Sequence, residues 1–123
     1  MDFRRQEYIE MSEENVTRMV QMISTAGMAR AKYMEAVRAA KAQNFEKVPE
    51  LMEIGDECFG KAHELHSEFL ASGSADLTAC GVGAEINLIL VHAEDQMMCA
   101  ETFRMMAAEL VDVYRKLYDK KKN

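Results

Sequence analysis

The sequence predicts an all-α protein, a single helical domain over residues 1–123 built as an antiparallel three-helix bundle. The chain has one proline and no tryptophan, and its 6 glycines are sparse outside one segment. Good helix formers dominate, and no stretch shows the alternation of apolar and polar residues typical of a β-strand. A chain of 123 residues is long enough for one domain with a modest core.

The first predicted helix spans residues 13–42. Ser12 suits the N-cap position, and Glu13 and Glu14 favour the positive end of the helix dipole. Small residues cluster around Gly27, which predicts that another backbone approaches closely there. The apolar positions recur at helical spacing: Val16, Met19, Val20, Ile23, Ala26, Gly27, Ala31, Met34 and Val37.

The second predicted helix spans residues 45–72, with Asn44 as its N-cap. Pro49 has no backbone donor, so either the first turn is irregular or the regular helix begins near Val48. Its apolar positions are Leu51, Ile54, Cys58, Ala62, Leu65 and Phe69. Residues 73–84 are rich in Gly, Ser and Ala, which predicts a flexible loop.

The third predicted helix spans residues 85–118 and carries two apolar stripes. The first follows the alternating steps of a coiled coil: Ile89, Ala93, Gln96, Ala100, Phe103, Ala107, Leu110, Tyr114 and Leu117. The second lies on other faces: Leu88, Val91, Met98, Met105, Met106 and Val113. A three-helix monomer cannot easily cover both stripes, and an exposed apolar patch marks an interface. We therefore expect a coiled-coil-like homo-oligomer.

Composition excludes several classes of function. The net charge of −6 argues against nonspecific nucleic-acid binding. No apolar run approaches the roughly 20 residues of a membrane span, and the first residues lack the apolar core of a signal peptide. Three cysteines, Cys58, Cys80 and Cys99, show no CxxC spacing, which suits a reducing cytoplasm. We therefore expect a cytoplasmic protein.

The segment around His92 and Asp95 is the strongest candidate for chemistry. These residues are three apart and share a face of a helix that is otherwise apolar. His92 alone is equally consistent with a functional and with a buried structural histidine. Asp95 has poor helix propensity and is rarely buried without a partner. If the oligomer axis follows this face, copies of Asp95 repel one another, and a hard divalent cation or a shared proton would relieve that.

Other histidine motifs are incomplete. His63 and His66 form an HxxH pair. The sequence favours two histidines at a partly solvent-exposed helix surface over a metal site. The spacing is one residue short of HExxH, and no glutamate precedes any histidine by three positions, as ferritin-like carboxylate sites require. The H-x-E of residues 92–94 lacks the PCxxC of a deaminase.

Three parts of the sequence resemble the enzyme IIA component of the lactose/cellobiose (diacetylchitobiose) family of the bacterial sugar phosphotransferase system. Residues 23–30, ISTAGMAR, are similar to the family's A-G-x-A-R motif. Residues 44–47, NFEK, and 62–63, AH, are similar to D-F-x-x-A and to the start of A-H-x-x-Q. Residues 90–98, LVHAEDQMM, are similar to L-x-H-A-Q-D-H-L-M. The resemblance covers about residues 16–118 in the family's order and spacing.

The resemblance implies a homotrimer of three-helix subunits in which His92 is phosphorylated. It implies that Asp95 from each subunit meets its copies around one divalent metal per trimer, expected to be Mg²⁺. The implied partners are the histidine phosphocarrier protein, which donates the phosphoryl group, and a IIB component, which receives it on a cysteine. The implied process is uptake of a β-linked disaccharide of the cellobiose, lactose or chitobiose class, with the membrane reached only through the IIC permease.

The sequence departs from the family's pattern at four positions. Glu94 and His66 stand where the family has glutamine, Gln96 replaces its second histidine, and Ala31 replaces a frequent serine. A carboxylate at position 94 is expected to repel a phosphoryl group on His92. The alternative function is a non-catalytic helical scaffold or adaptor, in which the histidine and Asp95 are structural polar residues.

Overall fold

The computed structural model describes residues 13–72 and 88–122. Both ranges are helical and contain no strand. The helices in chain order are α1 (Glu13–Lys41), α2 (Val48–Ala71) and α3 (Leu88–Lys122). The predicted all-α class is confirmed for these residues. Ser12, Cys80, the loop predicted at 73–84 and the first three residues of the third predicted helix lie outside them.

Two contacts show that α2 runs antiparallel to α1. Arg18, early in α1, lies 3.5 Å from a carboxylate oxygen of Glu68, late in α2. Tyr33, later in α1, donates a 2.8 Å hydrogen bond to Asp56, in the first half of α2. The chain therefore reverses direction between the two helices, as the sequence predicts.

Two further contacts show that α3 runs antiparallel to α2. His66, late in α2, lies 2.6 Å from Glu94, early in α3. Arg104, further along α3, donates a 2.6 Å hydrogen bond to Asp56. Helices α1 and α3 are therefore parallel, and the described residues form the predicted antiparallel three-helix bundle.

The turn between α1 and α2 corrects the predicted role of Asn44. Its side chain makes no capping hydrogen bond. Gln43 adopts a left-handed conformation with φ of 68°, and the backbone N–H groups of Gln43 and Asn44 donate to the carbonyls of Ala40 and Ala39 at 3.0 and 2.8 Å. This pattern is a Schellman motif that terminates α1. Asn44 precedes the 3₁₀ turn at Phe45–Lys47 but does not cap α2 with its side chain.

A short 3₁₀ turn at Phe45–Lys47 leads into α2, which begins at Val48. Pro49 therefore falls in the first turn of α2, where its missing backbone donor costs nothing. Of the two starts that the sequence allowed, the one near Val48 is confirmed, and the irregular turn before it is present as well.

The core among the three helices is rich in alanine, above all where α1 meets α3. Small side chains let the two helix backbones approach closely, and they alternate with a few large side chains that fill the remaining space. The fully buried alanines are Ala26, Ala29 and Ala36 on α1, Ala62 on α2, and Ala93, Ala100 and Ala107 on α3. The largest fully buried apolar side chains are Tyr33, Phe69, Met19 and Met22.

The predicted apolar face of α1 was only partly correct. Val16 and Val20 are exposed, whereas Met22 and Tyr33 are fully buried. The predicted close approach fits Ala26 and Ala29, which are fully buried. It does not hold for Gly27, because a Cβ built there meets no atom within 4 Å, nor for Ala31, which is exposed.

Helix α3 extends to Lys122, four residues beyond the predicted end at 118. Its last turn contains Lys120, Lys121 and Lys122, and lysine both forms helix well and favours the negative end of the dipole. Within the described ranges, no helix is long and apolar enough to cross a membrane.

Gly55 on α2 is required by the packing of Tyr33. A Cβ built at Gly55 would lie 2.5 Å from Cε1 of the Tyr33 ring, too close for any real contact. The ring is fully buried, and its hydroxyl is held by Asp56. The aromatic side chain therefore has little freedom to move away.

We expect Gly55→Ala to lower the free energy of unfolding by about 1–3 kcal/mol, because an overpacked core must shift. Gly60→Ala is the matched control, since a Cβ at Gly60 meets nothing within 4 Å and alanine favours helix by about 1 kcal/mol. Urea denaturation of both variants at one protein concentration measures the difference. An unfolding free energy for Gly55→Ala at or above that of the unsubstituted chain would contradict the role assigned to this glycine.

Candidate functional site

His92 and Asp95 both lie on the outward face of α3. Both residues are exposed, and a spacing of three residues places them on one side of the helix. The second apolar stripe surrounds them, and all of its members are exposed: Leu88, Val91, Met98, Met105, Met106 and Val113. As the sequence predicts, a single three-helix chain leaves this stripe uncovered.

Asp95 is an exposed carboxylate on this face of α3. In the part of the chain that the structure describes, no basic side chain forms an ion pair with it. The same residues contain no group of three potential metal ligands. One chain therefore offers one carboxylate at this position, and a metal would need oxygen donors from further copies.

Glu94 is turned away from this face. Its carboxylate lies 2.6 Å from Nε2 of His66 on α2, and residues two apart on a helix point about 200° from each other. The carboxylate therefore projects toward α2, while His92 projects outward. Two departures from the family's pattern, at 66 and 94, are thus in direct contact with each other.

His66 and His63 do not form a joint site. The His63 ring packs edge-on against Phe59 with ring centroids 4.8 Å apart, whereas His66 is bound to Glu94. His63 is exposed and His66 is partly buried. The two histidines of the HxxH pair therefore have separate packing roles.

Gln96, the third departure, is held by α1. Nη1 of Arg30 donates a 2.7 Å hydrogen bond to its side-chain oxygen and lies 3.8 Å from the sulfur of Cys99. Arg30 is the last residue of the A-G-x-A-R motif. The contact places a guanidinium on the side of α3 that also carries His92.

A second polar cluster joins all three helices at mid-bundle. Arg104 donates to both carboxylate oxygens of Asp56, at 2.6 and 3.1 Å, and these hydrogen bonds hold the pKa of Asp56 below its usual value. Burial raises the pKa of Tyr33, and its hydrogen bond to Asp56 adds to this. A structural role fits this cluster, because every member is satisfied by another.

A surface groove of about 430 Å³ lies beside this cluster, between α2 and α3. Its lining residues are Asp56, Phe59, Gly60, Glu101, Arg104 and Met105. The nearest of them to His92 in sequence is Glu101, more than two helical turns along α3. The groove is thus separate from the segment that the sequence singles out.

The family profile described as "PTS system, Lactose/Cellobiose specific IIA subunit" matches residues 17–115. This match spans both His92 and Asp95, and it includes all of α2 and most of α1 and α3.

The chain belongs to the lactose/cellobiose-specific IIA family of the phosphotransferase system.

Relatives and a solved structure agree with this assignment. The lichenan-specific phosphotransferase enzyme IIA component of Bacillus subtilis is 32% identical, over 90% of this chain and 96% of its own. The lactose-specific EIIA component of Staphylococcus epidermidis is 29% identical, over 78% and 88%. The crystal structure of the cellobiose-specific enzyme IIA from Bacillus anthracis superposes with a TM-score of 0.76 and 32% identity, over 90% and 96%.

Membership gives the coarse function: the chain is a IIA component of the lactose/cellobiose type, and such components are phosphotransferase components that carry phosphoryl groups in sugar uptake. The sequence alone did not predict the contacts of Arg30 with Gln96 and of His66 with Glu94. The sequence did contain a hint of the contact between His66 and Glu94. Both residues stand where the family pattern has glutamine, and a histidine and a carboxylate can bind each other.

We expect His66 and Glu94 to be energetically coupled. In a double-mutant cycle of His66→Gln and Glu94→Gln, the double variant should lose less stability than the two single variants added together, by about 1 kcal/mol. Once either change has weakened the hydrogen bond between the two side chains, the other change has less to remove. Urea denaturation at pH 7 measures each variant.

The matched control pairs Glu94→Gln with His63→Gln, because His63 lies on the same helix and contacts Phe59 instead. That cycle should be additive. Additivity in the His66 cycle as well would show that the 2.6 Å contact contributes nothing to the bundle.

Proposed function

We propose that this IIA component accepts a phosphoryl group on His92 from the histidine phosphocarrier protein and passes it to a cysteine of a IIB component. The proposal locates it in the cytoplasm and includes no nucleic-acid partner, and it reaches the membrane only through the IIC permease. The observation that carries it is the exposure of the His92 side chain within a segment that matches the family profile.

Exposure matters because both steps join two proteins. A phosphoryl group on a partner's side chain reaches an acceptor only if that acceptor lies at a surface. Of the histidines in the described residues, His66 is partly buried and bound to Glu94, and His63 packs on Phe59. Only His92 combines exposure with a place in the family's H-A-x-D pattern.

The chemistry requires little of the protein beyond position and charge. The lone pair on a ring nitrogen of neutral His92 attacks the phosphorus in line. As this nitrogen–phosphorus bond forms, the bond to the donor histidine breaks and its electron pair returns to the donor ring. In the second step, a cysteine thiolate of the IIB component attacks, and the electron pair returns to His92. Such transfers pass through loose transition states, so positioning and electrostatics supply the catalysis.

We propose that the functional form is a homotrimer, with Asp95 and the exposed stripe of α3 at its axis. His92, about 60° to one side of Asp95 on the helix, would lie at the rim of this interface and stay accessible to partners. Leu88 is 82% exposed and Met105 59% exposed, and burial of such side chains against copies of α3 is favourable. Copies of one helix packed along an apolar stripe form a coiled-coil-like core.

This assembly would bring together three copies of Asp95. Carboxylate oxygens are the ligands that hard divalent cations prefer, so Asp95 fits a single Mg²⁺ per trimer and one chain alone does not. The cation would neutralise repulsion between the carboxylates and join the subunits. The phosphoryl transfer itself needs no step at this metal.

The sugar of the proposed system is a β-linked disaccharide of the cellobiose, lactose or chitobiose class. The similar proteins are named for lichenan, lactose and cellobiose. This part of the proposal rests on family membership.

Intact-mass measurement tests the acceptor. Incubation with phosphoenolpyruvate, enzyme I and the histidine phosphocarrier protein should add one phosphoryl group that is lost in acid. His92→Ala should abolish the gain and keep the helical circular dichroism, whereas His63→Ala, an exposed histidine on α2, should leave the gain unchanged. No gain in the unsubstituted chain, with both upstream proteins active, would favour the scaffold function.

Thermal melting with Mg²⁺ or with a chelator tests the metal. Mg²⁺ should raise the melting temperature, because a ligand at a hundredfold excess over its Kd stabilises the form that binds it by about 2.7 kcal/mol. Asp95→Asn should remove this response and weaken the trimer measured by sedimentation.

Asp112→Asn is the matched control, because Asp112 is an exposed carboxylate of the same helix that pairs with Lys116 at 3.0 Å. It should keep the Mg²⁺ response. A response that persists in Asp95→Asn would place the cation elsewhere.

A further inference from the structure

Arg30 is an arginine without a carboxylate partner on the His92 side of α3. It lies on α1 and is partly buried. Its Nη1 donates to Gln96 at 2.7 Å and touches the sulfur of Cys99 at 3.8 Å. Within residues 13–72 and 88–122, no acidic side chain forms an ion pair with it.

Two other arginines of the bundle are paired with carboxylates. Arg18 pairs with Glu14 and approaches Glu68, and Arg104 is bound by Asp56. A guanidinium paired with a carboxylate has its charge compensated. Arg30 is held by a neutral amide, so its charge remains available to an anion.

The positions of its two contacts place Arg30 close to the acceptor along α3. Gln96 and Cys99 follow His92 by four and seven residues, which are one and two turns of helix on the same side. The first of these steps is about 6 Å along the helix axis, at about 1.5 Å per residue. The guanidinium is thus anchored one to two helical turns from the acceptor, on the same side of α3.

We propose that Arg30 binds the phosphoryl group carried by His92, and that Gln96 is the positioning residue that holds the guanidinium in place. This inference rests on the proposed phosphocarrier function. One N–H of Arg30 is used by the amide of Gln96 and a second by the sulfur of Cys99, and the guanidinium has five. The remaining donors suit phosphoryl oxygens, with which arginine forms short, charge-assisted hydrogen bonds.

The proposal assigns Arg30 no proton and no bond change. The phosphoryl group moves from a ring nitrogen of the donor histidine to a ring nitrogen of His92, one nitrogen–phosphorus bond breaking as the other forms. The acceptor gains a group with negative charge. Arg30 stabilises this charged form relative to the unphosphorylated one, and so shifts the equilibrium of the transfer.

The test measures the equilibrium partition of phosphoryl groups between the histidine phosphocarrier protein and this chain. Arg30→Gln should shift the partition toward the carrier by about tenfold, because hydrogen bonds to charged groups contribute on that scale. Arg38→Gln is the matched control, since Arg38 is an exposed arginine two turns further along α1. It should leave the partition unchanged. Circular dichroism melting confirms that both variants fold.

Gln96→Leu tests the positioning role while keeping Arg30. Leucine removes the amide that anchors the guanidinium and preserves helix propensity. It should shift the partition by about threefold in the unsubstituted background and have no further effect in the Arg30→Gln background, because coupled residues are not additive. If Arg30→Gln fails to fold, Gln96→Leu alone decides.

The outcomes separate the two proposals. If the unsubstituted chain is not phosphorylated on His92, the proposed function fails. If it is phosphorylated and Arg30→Gln behaves like Arg38→Gln, only the role of Arg30 is overturned. If Gln96→Leu has the same effect with and without Arg30, the amide acts on the phosphoryl group directly and the positioning role is wrong.

Discussion

The contact between α1 and α3 determines which side of α3 faces outward, and the candidate site depends on this. Ala93, Ala100 and Ala107 follow one another at seven-residue intervals on α3 and are fully buried, and they pack against a row of small residues on α1 that begins at Ala26. With only a Cβ on each side, the two backbones approach closely. A rotation of α3 would drive a methionine or a charged residue into this narrow space. The outward position of His92 is therefore a consequence of alanines on its opposite face.

The charged residues divide between those that hold the helices together and those that do not. Tyr33, Asp56 and Arg104 satisfy one another in a cluster that touches all three helices. His66 and Glu94 make the second link between α2 and α3. Polar groups that satisfy each other fix a register without leaving a charge free. Asp95 and Arg30 are among the charged residues of the described helices that form no ion pair, and both lie on the side of α3 that carries the histidine which the proposal makes the acceptor.

The periodicity of apolar residues predicted most of the fold, but it failed at a large buried residue of α1 and at the turn before α2. It found the seven-residue row of α3, because alanine repeats there without interruption. It missed Tyr33 on α1, because the sequence does not show that the hydroxyl of this tyrosine has a hydrogen-bond partner inside the bundle. It also made Asn44 the N-cap of the second helix, whereas the left-handed Gln43 closes α1 and α2 begins only at Val48. A glycine at position 43 would have given the usual signal.

The candidate site was predicted in the same uneven way. The family pattern singled out His92 and Asp95, but contacts between helices cannot be deduced from spacing within one helix. Glu94 was expected to act on His92, because the two are near neighbours in sequence, and the helix instead points its carboxylate at His66. Arg30 and Gln96 are 66 residues apart, and only the parallel packing of α1 and α3 brings them together.

Magnitudes show why the proposed trimer depends on the charge state of Asp95. Burying the remaining exposed half of a methionine or leucine side chain contributes roughly 1 kcal/mol. Two carboxylates about 6 Å apart repel by roughly 3 kcal/mol at an effective dielectric constant of about 20. One uncompensated pair would therefore offset the burial of about three apolar side chains. Three such pairs in a trimer would offset about half of the burial that three copies of the six-residue stripe supply. A cation that neutralises the carboxylates would restore this half. Because Asp95 and His92 share one face, the event that joins the subunits would also complete the surroundings of the acceptor.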